Sequence, residues 1–265
     1  IYNGKACETV PPVLDLVNVV DLTKKQKNKI LNYAANIEEL ASFKPTAIKG
    51  INDLVLLRLI DQAKIQFEKI KTKKPSYKLL PTLPSRGFNI LPEKDKNDLF
   101  FDIEGDPTVE GGHEYLFGLI NGSNKQFKSF WAKLPSEEEA AFRELMDFFK
   151  NHFLKNPDAH IYHYNHYEVT ALRKLTNKYD TKNEILDYLL RNEKFVDLYK
   201  VVKQGVITSE TGRSIKDLEI FYMKQRESNI STGEDSVEKF LEWKETGKNK
   251  ILEDIESYNK EDCVS

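Results

Sequence analysis

Apolar positions along the chain fall into two regimes. Between residues 13 and 67 they recur near the helical period. Leu22-Thr23 opens a segment running to Asn36, Ile37 to Phe43 forms a short second one, and Asp53 to Phe67 forms a third on Leu54, Leu57, Ile60 and Ile65. Pro45 and Gly50 break the pattern. The following stretch, KIKTKKPSYKLLPTLPSRGFNILPEKDKND, is dense in Pro and Lys and holds no period, which predicts a linker. From Leu99 the apolar runs become short and rich in Phe, Tyr and Ile. LFFDIEGD, YLFGLI and KQFKSFWA predict three antiparallel strands, with NGSN as the hairpin turn between the last two. Ser136 before Glu137, Glu138 and Glu139 predicts a helix N-terminus and a helix to about Phe153. HIYHYN reads as a buried fourth strand. Helical patterns follow at Tyr167–Lys178, Glu184–Leu190, Leu198–Lys203, Ile215–Tyr222, Val237–Trp243 and Lys250–Asp262. A meander, a crossover helix, a further strand and trailing helices predict an α/β fold with a mixed sheet flanked by helices, behind a small all-α N-terminal region. The expected division is 1–70 helical, 71–97 Lys/Pro-rich linker and 98–265 α/β domain.

Composition changes this picture little. With 40% hydrophobic and 31% charged residues the chain is of ordinary globular make-up. The formal net charge of -2 means that any affinity for a polyanion must come from local basic patches or bound cations. Two cysteines, Cys7 and Cys263, give no disulfide framework and fit a reducing, cytoplasmic compartment. No apolar run approaches bilayer length, so no membrane association is expected.

Three places carry candidate chemistry. In FFDIEGDP, Asp102 and Glu104 lie two apart on a predicted strand and so face one side. Two adjacent carboxylates behind Leu99, Phe100 and Phe101 repel unless a cation offsets the charge, and oxygen-rich sites suit Mg²⁺ or Mn²⁺. The plain alternative is an exposed strand end leading into Gly105-Asp106-Pro107. In HIYHYNHYEVTALRKL, Glu168 opens a helix just beyond a buried strand, where the helix dipole alone would favour an acid. In ILEDIESYNKEDCVS, Tyr258 and Asp262 share a helical face at i and i+4, with a solvated acidic face as the alternative.

Taken in order, the Asp-x-Glu strand, the acid after Asn-x-x and the Tyr-x-x-x-Asp helix resemble the three exonuclease motifs of the DEDD superfamily in its tyrosine-bearing subclass. More fully, DIEGDP, YLFGL, YHYNHYEVTALRKL, FVDLYKVV, SIKDLEIFYM and SYNKEDC resemble the ribonuclease H-like domain of the bacterial RecB-like predicted nucleases. That resemblance implies a ribonuclease H-like fold similar to proofreading exonucleases. It implies a metal-dependent 3′→5′ exonuclease using two Mg²⁺ or Mn²⁺ ions, with Asp102, Glu104, Glu168 and Asp262 as ligands and Tyr258 orienting the attacking water. The wider superfamily usually has Asp where this chain has Glu168, and Asp197 in FVDLYKVV is the rival for that ligand role. Single-stranded DNA or RNA is the implied partner, and a longer chain with nuclease or helicase domains is the implied context. The alternative is a catalytically weak or inactive nucleic-acid-binding scaffold within such a chain. The N-terminal region resembles the family's helix-hairpin-helix-like segment at IEELA and LIDQAKIQF, with Gly50 as the available turn glycine. Cys7 sits where an upstream domain that can hold an iron-sulfur cluster would end, and a lone Cys cannot bind one.

Other candidates are weaker. Arg213 and Lys216 could touch a phosphate backbone, with a solvated helix end as the alternative. Lys69, Lys71, Lys73, Lys74 and Lys78 could grip nucleic acid or simply solubilise a linker. His113, His160, His163 and His166 lack zinc spacing, and no structural zinc is expected.

Overall fold

The structure is a computed structural model that describes residues 11–223 and 226–265; Cys7 lies outside them. In chain order the helices are α1 (Lys24–Ile30), α2 (Ile37–Ala41), α3 (Asp53–Thr72), α4 (Glu138–Lys155), α5 (Tyr167–Tyr179), α6 (Asn183–Arg191), α7 (Leu198–Gly205), α8 (Ile215–Glu219), α9 (Gly233–Thr246) and α10 (Asn249–Val264). The strands are β1 (Tyr77–Leu79), β2 (Leu99–Asp106), β3 (His113–Asn121), β4 (Phe127–Trp131), β5 (Ile161–His163), β6 (Phe195–Asp197) and β7 (Val206–Thr208). Among the described residues no helix is long and apolar enough to cross a membrane.

The chain divides into two compact units. Among the described residues, one comprises those up to 87 with 203–222, and the other 88–202 with those from 223 onwards. In the first unit, the helix expected to reach Asn36 stops at Ile30 because a new start competes with it. Asn36 accepts from the Glu39 amide at 2.9 Å while the Glu39 side chain accepts from the Ala35 amide at 2.8 Å. The unit is not wholly helical, and its partition differs from the three-part reading. Tyr77–Leu79, inside the stretch read as linker, pair antiparallel with Val206–Thr208 as a two-stranded ribbon. Residues 203–222 therefore belong with the N-terminal helices. Here Arg213 is buried and ion-paired with Asp21 at 2.5 Å, so it is a packing residue and not a surface contact for phosphate. Lys69 pairs with Glu210, and Lys78 with Asp61 at 2.7 Å, which ties part of the expected lysine run into this unit.

The second unit is built on a five-stranded mixed sheet of order β4-β3-β2-β5-β6. β2, β3 and β4 form the expected antiparallel meander; β5 runs parallel to β2, and β6 parallel to β5. On one face Leu99, Phe101 and Ile103 of β2 and Phe117 and Leu119 of β3 pack with Phe142, Leu145, Met146 and Phe149 of α4 and Leu172 and Leu175 of α5. On the other, Tyr115 and Leu116 of β3 pack with Phe240 of α9 and Leu252, Ile255 and Tyr258 of α10. Tyr115 stacks on Phe240 with ring centroids 4.0 Å apart. A 3-10 turn over Pro135–Glu137 precedes α4, so Glu137 and not Ser136 stands at the cap position. α9 starts on a reciprocal Thr232–Asp235 capping box and ends at Gly247, whose φ of 65° is the left-handed stop that glycine adopts freely.

Candidate metal centre

Strand alternation decides which β2 side chains leave the apolar core. Since Leu99, Phe101 and Ile103 point into the α4–α5 layer, Asp102 and Glu104 point to the opposite face, towards α10. The helical period of α10 brings Tyr258 and Asp262 to the same place. One carboxylate oxygen from each of Asp102, Glu104 and Asp262 lies within 4.8 Å of the others. Among the described residues these are the acids that meet at a possible metal position, although Asp102 and Asp262 come from opposite ends of the second unit. Glu104 is buried and the other two are half-buried.

The surroundings partly compensate the charge. Arg226 bonds the Asp262 carboxylate, and its guanidinium carbon lies 5.7 Å from the Tyr258 ring centroid. Glu261 anchors that segment by accepting from the amides of Glu227 at 2.8 Å and Ser228 at 3.1 Å. Asn259 donates its Nδ2–H to Asp102 Oδ2 at 2.7 Å. Tyr258 is buried. Burial first, and then Asp262, Glu104 and Asp102, push its phenol well above the usual tyrosine range, so the hydroxyl stays protonated and can donate.

The expected fourth ligand does not join this group. Glu168 opens α5 as predicted, yet its carboxylate is buried against His163, with Nδ1 at 3.3 Å from Oε2. Burial raises its pKa, opposed by the bond to His163. The Glu side chain has been taken up by a neighbour on β5, whose last residue His163 stands beside it. Asp197, its rival, also lies outside the group: it accepts from the Asn165 amide at 3.0 Å and faces His163 across the β5–β6 register.

Three residues of this neighbourhood escaped the sequence reading altogether, Glu114 first among them. Glu114, buried on β3, accepts from the Tyr167 hydroxyl at 2.7 Å, and burial raises its pKa despite that bond. The bond lies directly against Gly105, opposite the point where β3 bulges at Tyr115. A Cβ at Gly105 would sit 2.1 Å from Glu114 Oε2 and 2.5 Å from the Tyr167 hydroxyl. The Glu-Gly of DIEGDP was the available signal; its partner on β3 carried none. Arg226 and Asn259 were likewise invisible, because one stands in an irregular segment and the other reads as an ordinary polar helix residue.

Clustered carboxylate oxygens are hard donors, and three of them converging on one point suit a divalent cation of the Mg²⁺ or Mn²⁺ type. No curated protein and no solved structure matches the chain. A family model does match, described as the RNase H superfamily and covering residues 99–265. Nucleases of that superfamily act on nucleic acid with divalent metal ions, and the three-acid group fits that requirement. With a match that runs from the first residue of β2 through the whole of α10, the chain belongs to the RNase H superfamily.

Proposed function

We propose that this protein is a metal-dependent 3′→5′ exonuclease that hydrolyses phosphodiester bonds, with single-stranded DNA as its substrate. The observation that carries the reading is the convergence of Asp102, Glu104 and Asp262 within 4.8 Å on a sheet otherwise packed with apolar side chains. Polarity and the number of ions, two, come from the resemblance to the tyrosine-bearing exonucleases. The bound ions would lower the pKa of water and offset charge on the leaving 3′ oxygen. In this reading Asp102, Glu104 and Asp262 hold the ions, and their own mutual repulsion supplies the drive to take up a cation. Tyr258, protonated and buried beside them, donates a hydrogen bond that orients the attacking water; it is not a base. Arg226 neutralises Asp262 until a cation does so. Glu168 is the fourth ligand this reading draws on, from its place beside His163.

That placement of Glu168 is also the observation favouring a second reading, a nucleic-acid-binding scaffold with little or no catalysis. One experiment separates the two. The chain is incubated with 5′-labelled single-stranded DNA and RNA in Mg²⁺, Mn²⁺ or chelator, beside Asp102→Ala. A metal-dependent ladder shortening from the 3′ end and lost in the variant is expected. Binding without cleavage would leave the scaffold standing, and faster loss of the RNA would change the substrate.

A further inference from the structure

We propose that Asn259 is a positioning residue for Asp102, fixing the orientation of that carboxylate towards Glu104 and Asp262, and that Gly118 is the vacancy in β3 that admits it. The proposal rests on the metal-site reading above, but it concerns a contact which that reading does not use.

Its geometry follows from the period of α10. Tyr258 and Asp262 turn towards the acids, while Ile255, Asn259 and Cys263, each four residues apart, form the adjacent buried stripe. That stripe lies on β3 at Gly118. Cys263 Sγ is 3.4 Å from the Gly118 carbonyl oxygen, and Gly118 stands directly across from Asp102 in the β2–β3 register. A Cβ at position 118 would lie 1.6 Å from Asn259 Oδ1 and 2.8 Å from its Cγ. Any other residue there would displace the amide. Glycine in mid-strand weakens a strand, and here it makes room for one particular polar group.

The chemistry of the amide then fixes its direction. An ionised carboxylate only accepts, so the group 2.7 Å from Asp102 Oδ2 must be the NH₂ end. That leaves Asn259 Oδ1 facing Gly118, fully buried and without a hydrogen-bond partner. An orphaned buried acceptor costs stability, and a leucine of similar size would pack there without it. Stability alone therefore argues against asparagine. What the amide provides instead is a charge-assisted bond that restricts rotation of the Asp102 carboxylate and presents it in one orientation. Groups that orient a ligand from behind commonly change metal affinity or activity by about 10–100-fold when removed.

Mn²⁺ alone is the probe. Its binding to the full chain is followed by the loss of the free-ion electron paramagnetic resonance signal, alongside metal-free thermal unfolding, for wild type, Asp102→Ala, Asn259→Leu, Gly118→Ala and the double variant Gly118→Ala/Asn259→Ala. Asn259→Leu is expected to weaken Mn²⁺ binding by about 10–100-fold while unfolding no earlier than wild type; should it fail to fold, Asn259→Ala is judged by the same criterion. Gly118→Ala should weaken binding although Asn259 is intact. The double variant relieves the clash, so it should regain stability and not affinity. Wild-type affinity in Asn259→Leu, or restored affinity in the double variant, overturns the positioning role while loss of binding in Asp102→Ala keeps the metal site. Wild-type affinity in Asp102→Ala would instead overturn the metal-site reading itself.

Discussion

Two buried groups beside the acids differ in what their protons can do. Burial, and then the three carboxylates near it, raise the Tyr258 pKa above the ordinary tyrosine range, which makes its phenol a donor and a poor base. Tyr258→Phe should therefore slow cleavage by about 10–100-fold, the scale of losing an orienting hydrogen bond. Asp102→Ala should cost on the order of 10³-fold, the scale of removing a charge-stabilising group. The pH–rate profile of wild type should show no step near the ordinary tyrosine value of 10.0, and one that vanished in Tyr258→Phe would make the phenol a base after all. Glu114 carries the opposite lesson. Its native value lies above the 4.5 of an unperturbed glutamate because of burial, so the native state holds that proton more tightly than the unfolded chain does. The stability from this group is complete below 4.5 and is lost as pH rises through the raised native value. Glu114→Gln buries no charge and its amide oxygen still accepts from Tyr167, so its stability relative to wild type should grow between about pH 5 and about pH 8. Urea midpoints at the two pH values test this, and a gap that stays constant or narrows would refute it.

At the level of elements, legibility followed the length and company of each segment. The β2–β4 meander was readable because LFFDIEGD and YLFGLI are long apolar runs closed by a turn signal. α4, α5 and α10 were readable because their apolar stripes persist over several turns. β1, β6 and β7 were not, since three residues contain too little alternation by themselves to mark a strand; β1 lies within the stretch read as linker, and FVDLYKVV holds a strand and a helix start in one run. The β3 bulge opposite Gly105 belongs to the same class of hidden feature: DIEGDP supplies the glycine, but the need for it arises on β3 and α5. Gly105→Ala would drive a methyl into the Tyr167–Glu114 pair from 2.1 and 2.5 Å. Overpacking of this kind typically costs about 1–3 kcal/mol, which a lowered denaturant midpoint would register. An unchanged midpoint would mean that the bulge absorbs the methyl by moving.

Across the whole molecule, the sequence named three acids that do meet and a fourth that does not join them. Asp102 and Glu104 were legible because strand alternation is rigid, and Asp262 because it shares a helical face with Tyr258. Glu168 is outside the group that meets within 4.8 Å and bonds His163, because a side chain's partner is chosen by tertiary packing. The convergence itself has a thermodynamic consequence. Bringing Asp102, Glu104 and Asp262 within 4.8 Å stores repulsion in the native state that the unfolded chain does not have, and Arg226 and Asn259 compensate part of it. A divalent cation that binds only the folded site stabilises it by about 2.7 kcal/mol at 100 times its Kd. In a chain of this size that shifts the unfolding of the sheet-bearing unit upwards by about 5–10 °C. Mn²⁺ should raise the melting temperature and chelator should reverse the rise. In Asp102→Ala the rise should disappear, while the metal-free melting temperature stays at or above that of wild type because one of three like charges has gone. The same increment in Asp102→Ala as in wild type would mean that the ion sits elsewhere. A fall in metal-free stability with no response to Mn²⁺ in either protein would mean that the three acids are held together for structural reasons alone.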